Sequence, residues 1–120
     1  MLLSAARIHL IALGITLLSE NCGALLVASV ISGWRLRIKQ IVIVVLAVNL
    51  VTHTIFWYTL PLLPGEALLR LLVYELVIVL VEGLAYAYFL HLRVWTTLLF
   101  SGFLNWLSYT LAVWFWQHML

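Results

Sequence analysis

Residues 66–90 read EALLRLLVYELVIVLVEGLAYAYFL, an apolar run that begins with Glu66 and contains two further acidic side chains within it, Glu75 and Glu82. About 20 largely apolar residues cross the hydrocarbon core of a bilayer as a helix, so this stretch predicts a membrane-spanning helix. The two glutamates are seven positions apart and therefore share one face of that helix. A charged group near the bilayer centre costs about 2.5–3.5 kcal/mol, which predicts that this face lies inside a helical bundle.

Three further apolar stretches make up most of the remaining chain. The 120 residues are 67% hydrophobic and 8% charged, and their mean hydropathy is +1.21, far from the composition of soluble domains. Pro61, Pro64 and Gly65 form a turn between the second and third stretches, because proline cannot continue the hydrogen-bond ladder of a helix. The sequence thus predicts an all-α, integral membrane four-helix bundle. It forms a single transmembrane domain over residues 1–120, with helices at about 8–32, 40–60, 66–90 and 95–117.

The basic residues predict the orientation, since short cytoplasmic loops carry an excess of Lys and Arg. One side has Arg35, Arg37, Lys39 and Arg93, and the other has Arg7 and Arg70. We therefore expect a multi-pass membrane protein with both termini outside. Trp34 and Trp95 are expected at the cytoplasmic interface, where indole rings prefer the headgroup level. Basic residues scattered in this way form no patch for nucleic acid.

Polar side chains fall near the middle of every predicted helix. Together we call them the polar layer: Glu20, Asn49, Thr52, His53, Glu75, Glu82, Asn105 and Ser108. Polar and ionisable groups within a membrane face the bundle interior and pair with one another. The polar layer is therefore the predicted candidate functional site.

The two predicted hairpins share a sequence pattern. Each has a glutamate on its first helix and Asn-x-x-(Thr/Ser)-(His/Tyr)-Thr on its second, as Glu20 with residues 49–54 and Glu82 with residues 105–110. This pattern predicts a parallel internal repeat, related by an axis along the membrane normal, that brings the two glutamates to one central seam. Glu75 and His53 have no counterpart in the other half.

Two roles fit the polar layer. Intramembrane glutamates can exchange a proton for a cation and form a proton or cation path, with His53 nearby. Alternatively, protonated glutamates donate to Asn49 and Asn105 and the network only fixes the helix order. We expect no metal site, because no glutamate has the histidine three positions away that carboxylate-bridged metal sites use. Ligation by His53 alone stays open.

An enzyme is not expected. The sequence contains no aspartate, no paired histidine motif, no glycine-rich phosphate loop and no Gly-x-Ser-x-Gly. Intramembrane hydrolysis needs a nucleophile with a base or a metal-bound water, and these residues assemble neither.

The polar residues resemble those of a group of small, uncharacterised bacterial four-helix membrane proteins. The likeness rests on Glu20 in helix 1, Asn49-x-x-Thr52-His53 in helix 2, Glu75 with Glu82 in helix 3, and Asn105-x-x-Ser108 in helix 4. A proline often follows the histidine in that group, whereas this chain has Thr54. The resemblance implies the four-helix architecture and a location in the bacterial inner membrane, and it carries no activity with it.

Two functions follow as alternatives. The first is a small accessory or structural subunit of a larger membrane complex, with the lipid bilayer and other membrane subunits as partners. It is suggested by the short loops and by the aromatic residues of the last helix, such as Phe103 and Trp106. The second is a proton-coupled ion or small-solute transporter or channel, expected as a homo-oligomer because four helices rarely enclose a path alone.

Overall fold

A computed structural model describes residues 4–119, which form four long helices and no strand. The helices are α1 (Ala5–Val30), α2 (Ile38–Thr59), α3 (Ala67–Leu90) and α4 (Val94–Met119). Two short 3₁₀ helices, Arg35–Arg37 and Leu60–Leu62, lie in the first two connections. Helices of 22–26 residues are about 33–39 Å long, enough for a hydrocarbon core of about 30 Å.

Three segments are long and apolar enough to cross a membrane, over Arg7–Val30, Arg35–Leu62 and Val94–His118. α3 has a similar length and carries Arg70, Glu75 and Glu82 within its span. The expected all-α architecture of four helices is confirmed.

The helices pack in a ring in which each contacts its two neighbours in sequence order, with α4 closing back on α1. Successive helices run in opposite directions because their connections are short. The connection between α2 and α3 therefore lies at the same end of the bundle as both chain ends; we call this the terminal end. The other two connections lie at the opposite end, the loop end.

Specific residues end the helices where the sequence requires a change of direction. Ser4 caps α1 by accepting a hydrogen bond from the backbone N–H of Arg7 at 3.3 Å. At the loop end, His91 ends α3 in the left-handed region with φ 54°. The guanidinium of Arg37 donates to the carbonyl oxygen of Leu90 at 2.5 Å, a favourable place for a cation because helix C-termini carry partial negative charge.

The apolar core fills only the loop-end half of the bundle. Its buried members are Ala24, Ala28, Trp34, Ile41, Val45, Tyr86, Leu90, Phe100 and Leu104. In this half α3 and α4 pack closely at Gly83, where an added Cβ would lie 3.1 Å from the Cα of Leu98 and 3.3 Å from the carbonyl oxygen of Thr97. Glycine is what permits this approach of two backbones.

Trp34 lies at the loop end of the bundle with its indole ring directed inward. Its side chain is only 6% exposed and meets the ring of Phe100 edge-on, with 5.1 Å between ring centroids. Gly33, with φ 88°, turns the chain just before it and returns the indole to the bundle. Trp95 is 80% exposed, as an outward-facing residue at this end of the bundle should be.

Candidate functional site

A cavity of about 280 Å³ occupies the terminal-end half of the bundle, where the core is absent. All eight residues of the polar layer line it. The deepest lining residues, among them Glu20, Asn49 and Glu82, lie next to the apolar core, and the lining continues toward the terminal end through Trp57 and Trp116. The bundle is therefore packed in one half and hollow in the other, with the polar layer at the boundary.

Glu82 is held by side chains from two other helices. The hydroxyl of Thr52 on α2 donates to its Oε1 at 2.5 Å, and the amide of Asn105 on α4 donates to its Oε2 at 2.8 Å. Asn105 also donates to the carbonyl oxygen of Ser101, one turn earlier, at 2.9 Å. Glu82 is 1% exposed, so its two oxygens receive from protein the donors that water would have supplied.

Glu20 has the opposite environment. Its side chain is 0% exposed, and neither carboxyl oxygen has a hydrogen-bond partner among residues 4–119. The amide of Asn49, the expected partner, donates to the carbonyl oxygen of Val45 at 2.8 Å and to the hydroxyl of Tyr86 at 3.1 Å instead. The bond to Asn49 that the purely structural alternative would use is therefore absent for Glu20, and the amide N–H groups of Asn49 are held by Val45 and Tyr86.

Tyr86 belongs to this network but lies outside the predicted polar layer. It is 0% exposed, lies one helical turn after Glu82, and packs its ring 5.6 Å from that of Phe100. The spacing of four residues from Glu82 was the signal that could have found it, because such residues share a helix face.

Ser108 and Thr16 join α4 to α1 across the cavity wall. Their hydroxyl oxygens are 3.4 Å apart, and Ser108 is 9% exposed. Ser101, on the same face of α4 but deeper, donates to the carbonyl oxygen of Val79 on α3 at 2.9 Å. α4 is thus attached by polar contacts to both of its neighbours.

His53 lies among aromatic side chains nearer the terminal end. Its ring stacks on that of His9 with 5.6 Å between centroids and an interplanar angle of 22°, and His9 is 5.0 Å from the ring of Trp57. The Nδ1 atoms of both histidines are buried without a hydrogen-bond partner in the described part of the chain. The described residues also contain no group of three or more His, Cys, Asp or Glu side chains arranged to hold a metal ion.

Glu75 is half-buried and lies where the cavity meets a second depression. This groove has a volume of about 330 Å³ and runs between α3 and α4 on the outside of the bundle. Cavity and groove share four lining residues: Leu71, Glu75, Asn105 and Tyr109. The Glu75 carboxyl group makes no hydrogen bond to another described residue, and it lies where the cavity and the groove meet.

The cavity also has an aromatic wall, whose residues lie outside the predicted polar layer. Phe56, Trp57, Tyr109 and Trp116 line it together with the polar layer. Trp57 and Trp116 lie close to helix ends, and that position favours the simpler interpretation of interfacial anchoring. Only the inward direction of their side chains, which depends on packing, reveals their place in the cavity.

Comparisons of this chain with protein-family models, with curated proteins and with solved structures gave no match. Its functional interpretation therefore depends on the geometry of the cavity.

Proposed function

We propose that this chain is a four-span membrane protein that binds a small cation in its acidic cavity and exchanges it for a proton. α3 is the fourth span in this proposal, with its glutamates directed to the cavity and the groove. The carrying observation is Glu20, which is fully buried, has no hydrogen-bond partner among the described residues and lines the cavity.

The contrast between the two deep glutamates supports this role. A network that serves only stability leaves no acid unpaired, because an unsatisfied buried polar group costs about 1–3 kcal/mol. Glu82 meets that requirement with Thr52 and Asn105, and Glu20 does not. Burial of an ionised carboxylate without a partner is still more costly, so in the proposal Glu20 carries a proton until a cation replaces it.

The one-sided shape of the cavity supports a binding step rather than an open pore. The apolar core closes the bundle at the loop end, and Trp34 and Phe100 belong to that closure. With the predicted orientation, in a bacterial inner membrane with the termini outside, the cavity faces outward. The proposal includes the parallel repeat, in which Glu20 and Glu82 are related residues. Glu20 binds the cation, and Glu82 is fixed by its hydrogen bonds.

Flux in liposomes tests the proposal. Purified protein is reconstituted with a pH-sensitive dye inside the vesicles, and gradients of potassium and of tetramethylammonium are imposed in separate runs. We expect a cation-driven proton flux that Glu20→Gln abolishes and that Glu66→Gln, a change at an exposed position before α3, leaves intact. Absence of a Glu20-dependent flux with either cation would refute the exchange.

The second candidate is an accessory role in a larger membrane complex, in which the chain acts singly or together with further copies of itself. Trp106 favours it, since this indole is 61% exposed in the middle of α4, away from the helix ends where tryptophan usually anchors. Purification in mild detergent separates the candidates. Stable co-migration with larger, unrelated subunits supports the accessory role, and an isolated chain or homo-oligomer that carries flux supports exchange.

A further inference from the structure

The geometry points to an organic ammonium ion with an apolar tail as the ligand, and to the groove between α3 and α4 as its route from the bilayer. This inference rests on the proposed function and specifies its substrate class. It is drawn from the lining of the cavity, from the position of Glu75 and from the apolar wall of the groove.

The cavity combines the carboxyl groups of Glu20 and Glu75, which have no hydrogen-bond partner among the described residues, with aromatic rings. Glu20 lies at its inner wall, and Phe56, Trp57, Tyr109 and Trp116 surround the space toward the terminal end. An ammonium ion is attracted both to a carboxylate and to the faces of aromatic rings, and the attraction grows when water is excluded. A hard metal cation instead needs several oxygen ligands at once, and the described residues contain no group of three or more His, Cys, Asp or Glu side chains arranged to hold one.

The groove provides surroundings for an apolar tail. Its outer wall includes Leu68, Leu72, Leu76 and Trp106, which are each 59–62% exposed on the outside of the bundle. In a membrane these side chains face lipid, so a tail that lies along them leaves the bilayer without entering water. The groove ends short of Gly83, where α3 and α4 pack too closely for a ligand.

Glu75 connects the two spaces. It lines both the groove and the cavity, is half-buried, and has no hydrogen bond to another described residue. An ammonium group that arrives from the groove therefore meets the carboxyl group of Glu75 before it reaches that of Glu20. This gives a function to a glutamate that has no counterpart in the first hairpin.

Gly102 allows the groove to be filled without disturbing the bundle. It lines the groove, and an added Cβ there would meet no atom within 4 Å. Gly14 on α1 is the matched control, because it also has no neighbour within 4 Å and lies outside both spaces. Gly102→Leu and Gly14→Leu thus make the same change at two open helical positions.

The experiment measures binding of two radiolabelled probes to the full chain in zwitterionic nanodiscs. Benzyltrimethylammonium has the charged group and one ring, and benzyldimethyloctylammonium adds a tail. We expect Glu20→Gln to weaken both probes. Gly102→Leu should weaken only the tailed probe, by about tenfold, which corresponds to about 1.4 kcal/mol, and Gly14→Leu should weaken neither. Retained binding of the tail-less probe also shows that Gly102→Leu is folded.

Three outcomes would overturn the inference, and they differ in what they say of the proposed function. If both probes need Glu20 but Gly102→Leu binds the tailed probe as wild type does, the tail does not use the groove and the cation site stands. If neither probe depends on Glu20 while the potassium-driven proton flux does, the ligand is not an organic ammonium. If neither the binding of the probes nor any proton flux depends on Glu20, the proposed function is refuted as well.

Discussion

Replacing each deep glutamate by methionine should change stability in opposite directions. Methionine has nearly the length of glutamate and no hydrogen-bonding requirement comparable to a carboxyl group. At Glu20 the change removes two buried oxygens that have no partner among the described residues. At Glu82 it removes two acceptors and leaves the Thr52 hydroxyl and one Asn105 amide proton without their present partners.

The magnitudes follow from these contacts. Removal of an unsatisfied buried polar group is worth about 1–3 kcal/mol, so Glu20→Met should be more stable than wild type by about that amount. Loss of the two hydrogen bonds to Glu82, at about 0.5–1.5 kcal/mol each, should destabilise Glu82→Met by about 1–3 kcal/mol. The two variants should therefore differ by about 2–6 kcal/mol.

Unfolding in mixed micelles of mild detergent and dodecyl sulfate, followed by far-UV circular dichroism, measures this difference. Stability and cation exchange should separate, since Glu20→Met is expected to be the more stable protein and to lose the flux. A Glu20→Met variant that is destabilised as much as Glu82→Met would refute the reasoning. It would mean that Glu20 belongs to a satisfied structural network.

Three further predictions follow from single contacts. Gly83→Ala should be less stable than Gly102→Ala by about 1–3 kcal/mol in the same unfolding assay. The new Cβ at Gly83 would meet the backbone of Leu98, whereas a Cβ at Gly102 would meet no atom within 4 Å. Equal stabilities would contradict the close approach of α3 and α4. Tyr86→Phe should lower the free energy of unfolding by about 0.5–1.5 kcal/mol, because it removes an acceptor of the Asn49 amide. Tyr88→Phe, at a residue 75% exposed, should not change it measurably. Equal effects of the two changes would contradict the hydrogen bond between Asn49 and Tyr86. Leu62 and Leu36 are highly exposed positions at opposite ends of the bundle. In a Cys22→Ser background, an impermeant maleimide added to whole cells should label Leu62→Cys and not Leu36→Cys. The reverse labelling would contradict the predicted orientation.

The four helices could be predicted because long apolar runs are visible in composition and length alone. The apolar runs and Pro61 and Pro64 between them are visible without any tertiary contact. The described helices begin and end within a few residues of the predicted limits. The expectation that polar groups of such helices lie inside the bundle agrees with the finding that all eight residues of the polar layer line one cavity.

The pairing within the polar layer could not be predicted, because it depends on which side chain reaches which. In the predicted repeat, Glu20 and Asn49 of the first hairpin correspond to Glu82 and Asn105 of the second. Only the second pair bonds, because Tyr86 takes the amide of Asn49 and the first hairpin has Ala24 at the position related to Tyr86. The inward side chains of Trp34 and Trp57 likewise depend on the turn and on ring packing, which a pattern of helix ends does not reveal.

The most direct test of the central claim is an infrared difference spectrum of the reconstituted protein with and without benzyltrimethylammonium. The carbonyl-stretch region distinguishes a protonated carboxyl group from a carboxylate, so it reports whether a cation displaces a proton. We predict a loss of protonated carboxyl signal on binding in wild type and in Glu66→Gln, and no such loss in Glu20→Gln. A spectrum that does not change on binding, or the same change in Glu20→Gln, would contradict the assignment of Glu20 as the exchanging group.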